Sequence, residues 1–488
     1  MRSLRLVALL AIPAQMVLGQ QTPSTQAGSL TLDEAIATAQ RNNPGFLQIK
    51  NNVRNADAQV RTAFGALLPS ASGNFRTNYQ QGGTQYVQGV ALPGQSDSYN
   101  GGYSVGINYN INAALAYGSR YAKANRTASE ADVTNQAEVL RALVTNQYIV
   151  ALQVEAQAAL QDSLLQTAQG QLDLANAKMK VGAGTILEVR TAEVAVGQSQ
   201  VNSLTQHNQA QIEKLKLFQQ MGVPADMSGK LTTPFTVSQP TFTLDSLLGL
   251  AQRVNPDLAA KKSRDAAAQT NVKLQKTQYL PSLQLSTGYA AQSFGYANSD
   301  ILASSAVAQA AASRRNCLTT DSLRVGAGLS SVPCGPGTLT AQELDAVRAS
   351  NKPFSFQKAP YSLSAFVSIP IFNNFTREAN LEQAKVTRDN ALNDLRARSL
   401  QLTTDVTQGY LNLVTAAKTV ELQTMIAGKA TEELAFAEES YKVGAKTFLD
   451  VTTARGTYEQ ALIARVNSIY EYHKAFAALE NAVGRPLR

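Results

Sequence analysis

The chain repeats itself once over more than 200 residues, and this constrains its fold more than any other feature. Thr31-Leu32-Asp33 recurs as Thr243-Leu244-Asp245, Asn43-Pro44 as Asn255-Pro256, and Leu68-Pro69-Ser70 as Leu280-Pro281-Ser282, all at a spacing of 212 residues. Further along the spacing becomes 262. Lys180-Val181-Gly182-Ala183 recurs as Lys442-Val443-Gly444-Ala445, and Gly222 and Pro224 recur as Gly484 and Pro486. The second copy therefore carries about 50 extra residues between Pro281 and Lys442. A period this long is not that of a solenoid, whose units are far shorter. It marks a duplicated structural unit, 20–222 and 243–488, joined by the linker 223–242 with Pro224, Pro234 and Pro240.

Each copy reads as helix, hairpin, then long helix. Thr31 with Glu34 forms the signature of a capping box, which starts a helix. The helical pattern from Phe46 to Leu67 stops before Pro69. Next comes alternation. Phe75, Thr77 and Tyr79, then Tyr103, Val105, Ile107 and Tyr109, alternate with small polar residues, predicting a β-hairpin over about 71–110. Leu283, Leu285, Thr287 and Tyr289, then Leu363, Ala365, Val367 and Ile369, do the same, predicting a second hairpin over about 282–369 with an inserted loop at about 294–360.

That makes four strands per chain, each with one apolar and one polar face. The pattern suits a barrel with lipid outside and water inside. After residue 19 no run of 18 apolar residues occurs, so a membrane-spanning helix is not expected. The remaining way to cross a membrane is a closed barrel. Four strands cannot close around water, so closure requires several copies, and a trimer supplies twelve strands.

The amino terminus agrees. Arg2 and Arg5 precede an apolar stretch, Leu6 to Leu18, that is too short to span a bilayer, and Val17 and Gly19 suit a signal peptidase. Residues 1–19 are expected to be a signal peptide and the chain to be exported. The formal charge of +8 is spread among acids without a dense run, which argues against nucleic acid as a partner.

The remainder is helical. From Leu140 a 4-3 spacing runs through Val144, Ala151, Val154, Ala158, Ala168, Leu172 and Ala175 to Met179. The second copy matches it from Leu402 through Val406, Leu413, Val420, Ala427, Ala430, Leu434 and Ala437 to Tyr441. A 3.5-residue repeat sustained this long is a coiled-coil signal, and its alanines permit close helix approach. A helix from Ala113 to Lys180 would be roughly 100 Å long, far more than a globular domain needs.

The helical pattern breaks at 181–185 and again at 443–447, where Gly182 and Gly444 can end a helix and turn the chain. The paired tip motifs are Lys180-Val181-Gly182-Ala183-Gly184-Thr185-Ile186-Leu187-Glu188-Val189 and Tyr441-Lys442-Val443-Gly444-Ala445-Lys446-Thr447-Phe448-Leu449-Asp450-Val451. With the duplicated plan they make the chain resemble the outer membrane efflux protein family, the TolC-like outer membrane factors. The resemblance spans nearly the whole mature chain. It implies a mixed α+β homotrimer in the Gram-negative outer membrane. A twelve-stranded barrel in lipid would continue into a long periplasmic α-helical barrel, with an equatorial belt gathering the termini and the linker. It implies work alongside a periplasmic adaptor and an inner-membrane pump of the RND or ABC type, in tripartite efflux or type I secretion.

The resemblance also implies sites. Val181, Gly182, Ala183, Val443, Gly444 and Ala445 would meet the adaptor. Glu188, Tyr441 and Lys446 would form a gate, Glu188 either pairing with Lys446 or accepting a hydrogen bond from Tyr441. Asp450 would repeat around the axis of the trimer as a carboxylate ring. Family members often carry Arg where this chain has Lys446, and an ammonium cannot form the planar fork of a guanidinium. A second acid that the family can carry is here Thr453.

Cys317 and Cys334 both fall in the insertion, and an exported chain favours a disulfide between them. His207 and His473 read as solvated helix residues. No phosphate-cradling loop, nucleophile elbow or metal-ligand spacing appears, so neither cofactor nor enzymatic activity is expected. The rival reading is a surface-exposed structural coiled coil or adhesin-like protein, which explains the heptads but requires neither four amphipathic strands nor two matched tips.

Overall fold

The structure is a computed structural model that describes residues 29–87, 90–226 and 229–487. The expected signal peptide, 1–19, lies outside the described residues. The first copy contains β1 (Ser29–Leu30), α1 (Leu32–Asn42), α2 (Pro44–Gly65), β2 (Ser70–Gln80), β3 (Gly83–Val87), β4 (Val90–Gln95), β5 (Ser98–Ile111), α3 (Ala113–Lys180) and α4 (Ile186–Met221). The linker holds β6 (Lys230–Leu231). The second copy contains α5 (Leu244–Val254), α6 (Pro256–Lys276), β7 (Ser282–Tyr296), α7 (Asp300–Gly326), α8 (Ala341–Ala349), β8 (Gln357–Lys358), β9 (Ser362–Ser368), α9 (Thr376–Lys442) and α10 (Phe448–Val483).

The compact units cut across the sequence repeats. Among the described residues, one unit takes those up to Asn51, those within Ala131–Ala259 and those from Ala397 on; the other takes those within Asn52–Glu130 and Ala260–Arg396. Each unit takes material from both copies. The duplicated plan sends every copy's chain through both units, so contact and sequence divide the molecule differently.

In the first unit the duplication appears as a pair of clamps. The side-chain amide of Asn43 donates to Gln220 O at 2.8 Å, and that of Asn255 donates to Ala482 O at 3.0 Å. Each asparagine also accepts, through Oδ1, the backbone N–H three residues on. Asn43 thus ties the start of α2 to the last turn of α4, and Asn255 ties α6 to α10 in the same way. Both tied helices end on a left-handed glycine, Gly222 at φ 73° and Gly484 at φ 91°. These glycines are required by space as well as by φ. A Cβ on Gly222 would lie 2.5 Å from Asn42 O, and one on Gly484 would lie 2.5 Å from Pro256 Cδ.

The linker runs along this unit. β6 pairs in parallel with β1. The buried Tyr148 hydroxyl donates to Leu30 O at 2.7 Å and accepts from the Thr232 and Thr233 N–H groups. The Tyr472 hydroxyl donates to Ser238 O at 2.6 Å. His473 is fully buried, with its ring 5.0 Å from that of Phe235. It is therefore not the solvated residue expected from sequence, because the linker aromatic covers it. His207 is exposed, with Nε2 3.0 Å from Asp162 Oδ2.

The predicted seams are largely buried. Leu140, Val144, Ala151, Val154, Ala158, Ala168 and Ala175 on α3 are buried, as are Leu402, Val406, Leu413, Ala427, Ala430, Leu434 and Ala437 on α9, while Leu172 and Met179 are only partly so. Away from the seams, Leu204 on α4 and Leu411, Met425 and Phe436 on α9 stay exposed in the single chain. No described helix is long and apolar enough to cross a membrane.

In the second unit four long strands form one antiparallel sheet in the order β2-β5-β7-β9, with β8 also pairing with β7. β2 and β9 are its outer strands, so each leaves a row of backbone groups for another strand. The register puts Phe75 opposite Tyr103 and Tyr103 opposite Ala291; lower down, Ile107 faces Thr287 and Thr287 faces Leu363. One face is therefore apolar and aromatic. The other collects Asn74, Asn108, Gln284, Ser286 and Ser364.

The insertion is not the irregular loop expected at about 294–360. β7 extends to Tyr296, and α7 and α8 fill most of the segment from there to β8. An alanine-rich run favours α7, and a Thr340–Glu343 capping box starts α8. A disulfide joins Cys317 to Cys334. Arg348 links the two helices through Asp300 at 2.8 Å. The returning limb lies against the sheet, where the Phe356 ring is 5.4 Å from Tyr103.

Candidate functional site

The two tips share a backbone. Gly182 at φ 72° and Gly444 at φ 79° turn the chain in the left-handed region. Ala183 N donates to Lys178 O at 2.9 Å, and Ala445 N donates to Ser440 O at 2.8 Å, which satisfies the last carbonyls of α3 and α9. Three residues past each glycine a threonine starts the next helix. Thr185 makes a reciprocal capping box with Glu188, and Thr447 makes one with Asp450. Val181 and Val443 at the apices are 78% and 79% exposed, and Leu187 and Leu449 are nearly as open. Both apices thus present apolar side chains to solvent in the single chain.

The side chains differ, and they couple the tips. The Tyr441 hydroxyl donates to Glu188 Oε2 at 3.1 Å. Burial first, and then the neighbouring Glu188 carboxylate, push the Tyr441 phenol up to about 12. Lys178 completes the arrangement. Its ammonium lies 3.3 Å from the Tyr441 ring centroid and donates to Tyr441 O at 2.9 Å. Phe448 packs beside Tyr441 at 5.8 Å and also against the cluster of Ala175, Val189 and Ala192, so it bridges both hairpins. Further along, Gln171 donates to Glu438 and accepts from Arg455, extending the contact between α3 and the second hairpin.

Of the two partners open to Glu188, the structure brings it Tyr441. Glu188 and Lys446 form no ion pair within this chain. Glu188 Oε2 is engaged by Thr185 N at 3.2 Å as well as by Tyr441, and the Lys446 ammonium instead sits 5.7 Å from the Phe436 ring. Asp450 is exposed and serves its own helix: Oδ2 accepts from Thr447 N at 2.8 Å and Thr447 Oγ1 at 2.7 Å. Those hydrogen bonds hold its carboxyl below the ordinary range. Sequence reasoning missed Lys178 and Phe448. Lys178 stands one residue before the seam position Met179, and Phe448 comes after a capping threonine; only the proximity of the hairpins gives either a role. No group of His, Cys, Asp and Glu able to hold a metal occurs among the described residues.

Comparison with known proteins places these observations in a family. The profile described as outer membrane efflux protein matches residues 35–223 and 338–485. The pyoverdine export outer membrane protein OpmQ of Pseudomonas putida is 23% identical over 464 residues, which cover 93% of this chain and 85% of that protein. The fusaric acid resistance protein FusA of Burkholderia cepacia is 24% identical over 265 residues, 52% of this chain and 48% of that protein. Among solved structures, the outer membrane protein VceC of Vibrio cholerae superimposes with a TM-score of 0.69 at 16% identity, over 94% of this chain and 97% of that one.

Proposed function

The chain belongs to the outer membrane efflux protein family, and from that membership we propose how this molecule works as the outer membrane channel of a tripartite efflux system. It is a homotrimer. The open edges of β2 and β9 pair between neighbouring copies, and the exposed apolar residues of α4 and α9 are covered by adjacent helices. The apolar sheet face meets outer membrane lipid and the polar face lines water. The periplasmic extension meets an adaptor through Val181–Ala183 and Val443–Ala445 and receives cargo from an inner-membrane pump.

The contact that carries the gating part of this reading is Tyr441 to Glu188. It joins the two hairpins at their tips, with Lys178 clamping the same tyrosine. While it holds, the hairpins stay together and the entrance stays narrow. Parting them, through adaptor engagement at the exposed apices, opens the way. Asp450, three times around the axis, presents carboxylates at the same level and disfavours anion entry from the bulk periplasm. Cargo passes unchanged, and the protein acts as a conduit. OpmQ is named for pyoverdine export and FusA for fusaric acid resistance, and a small organic molecule is the cargo class proposed here.

The test is planar-bilayer conductance of the purified trimer. Wild type is expected to conduct little, and Tyr441→Ala or Glu188→Ala to conduct substantially more. A protein that conducts in no variant would sink the channel reading. Deletion of the gene, with measurement of retained metabolites, then identifies the cargo.

A further inference from the structure

The strands carry almost no charge. From Thr77 to Gly118 the one charged residue is Asp97, and 282–299 and 359–375 contain none. Arg76 is the exception. The register sets it opposite Gly102, which in turn faces Gln292, so Arg76 stands on the polar face of the sheet. Asp97, the one acid of the first hairpin, is engaged by the Tyr79 hydroxyl and Gly82 N–H, and Asp57, on α2, is paired with Arg126. Among the described residues Arg76 has no carboxylate partner. Around it lies an open groove of about 1140 Å³, with Asn74, Asn78, Gln292 and Phe294 on its walls. Lys352 and Lys358 of the returning limb border the same groove, and among the described residues no acid lines it.

An arginine left unpaired on a face of serines, asparagines and glycines contributes nothing to closing the sheet. Its guanidinium forks onto carboxylates, the surrounding amides add donors, and an aromatic ring offers an apolar surface to the rest of a molecule. We infer that Arg76 makes the barrel lumen anion-preferring and that cargo leaves through it as an organic anion bearing carboxylate. This rests on the barrel reading above, in which three copies place three guanidinium groups around one lumen. The two lysines add positive charge nearby, but neither offers a planar fork, so recognition of carboxylate falls to the arginine. The lumen of a twelve-stranded barrel is wide compared with a Debye length of about 8 Å at physiological salt, so the preference is strongest at low salt.

The experiment uses the full-length trimer in planar bilayers, in a Tyr441→Ala, Asp450→Asn background so that the tips limit neither current nor ion preference and the reversal potential reports on the barrel. Reversal potentials are read in a KCl gradient, at low and at high salt, with citrate as the organic-anion probe. The protein with Arg76 intact is expected to favour chloride over potassium by about twofold at low salt. Arg76→Gln removes most of that preference and Arg76→Lys retains it. Citrate blocks from one side of the bilayer with Arg76 present and fails to block Arg76→Gln. Lys352→Gln with Lys358→Gln leaves citrate block in place. Conduction with an unchanged reversal potential and unchanged citrate block in Arg76→Gln overturns the inference and leaves the channel intact. Loss of block on removing the lysines alone also overturns it, by moving the site off the arginine. Absence of conduction in every variant overturns the channel reading, and this one with it. Arg76 is exposed and unpaired, so its variants should give the same trimer as wild type on a native gel, which separates an effect on selectivity from one on folding.

Discussion

The two clamps and the two tips are both products of one duplication, yet they have diverged in opposite ways. Asn43 and Asn255 grip the ends of α4 and α10 through the same atoms, and both grips need a left-handed glycine. The tips keep the same turn and the same capping geometry, but Lys178 aligns with Ser440, Met179 with Tyr441 and Glu188 with Asp450. The clamp bears on backbone that cannot change without unseating a helix. The tip side chains project from a turn whose backbone is the same with either set of side chains. A shared backbone with diverged side chains let two matching hairpin ends become complementary to each other.

Substituting the glycines should break this comparison most severely. Gly222→Ala adds a Cβ against backbone in an already left-handed residue, and should cost about 3 kcal/mol or prevent assembly, read as the melting temperature of the trimer. Gly182→Ala meets nothing within 4 Å, and should cost only the left-handed penalty of about 1 kcal/mol. Equal losses at the two sites would mean that the clamp's close approach is unimportant.

Glu188→Asp gives the first tip the acid of the second. The shorter acid keeps the capping box, as Asp450 does, but cannot reach Tyr441. A charge-assisted hydrogen bond is worth about 1.5–3 kcal/mol, so open probability in bilayers should rise by about tenfold or more while the melting temperature stays nearly constant. Unchanged gating would remove the Tyr441–Glu188 contact from the mechanism.

The same contact predicts an alkaline transition. The folded value of about 12 for Tyr441 lies above its ordinary 10.0, so the neutral phenol stabilises the closed tip fully below pH 10. That stabilisation is lost as pH rises through 12. Conductance should stay flat to pH 10 and increase beyond it, and Tyr441→Phe should remove the step. The smallest effect is expected at Lys446. Among the described residues it makes no ion pair, so Lys446→Ala should alter conductance by less than about twofold. A larger change would show that Lys446 finds its acid on a neighbouring copy.

Periodicity made much of this molecule readable in advance. The 4-3 spacing located Val144, Ala158, Leu413 and Ala437 in their seams, because burial on a helix obeys a fixed angle per residue. Alternation assigned both faces of the strands for the same kind of reason. The glycine turns and capping threonines were local, so their signal lay in adjacent residues. The insertion misled because the turn-rich composition around Cys334 masked the alanine-rich α7 before it and the capping box that starts α8 after it. His473 misled because what buries it is Phe235, more than 200 residues away.

The sequence by itself determined the duplication, the period of every long element and the chemistry available at each tip, since these depend on neighbours a few residues apart. The tertiary structure alone decided that β5 pairs with β7 across the two copies, that the compact units cut across the repeats, and that Lys178 reaches Tyr441. Those facts depend on which of two similarly patterned copies lies beside which surface. A pattern present twice carries no label saying which copy will be the neighbour; only packing supplies one.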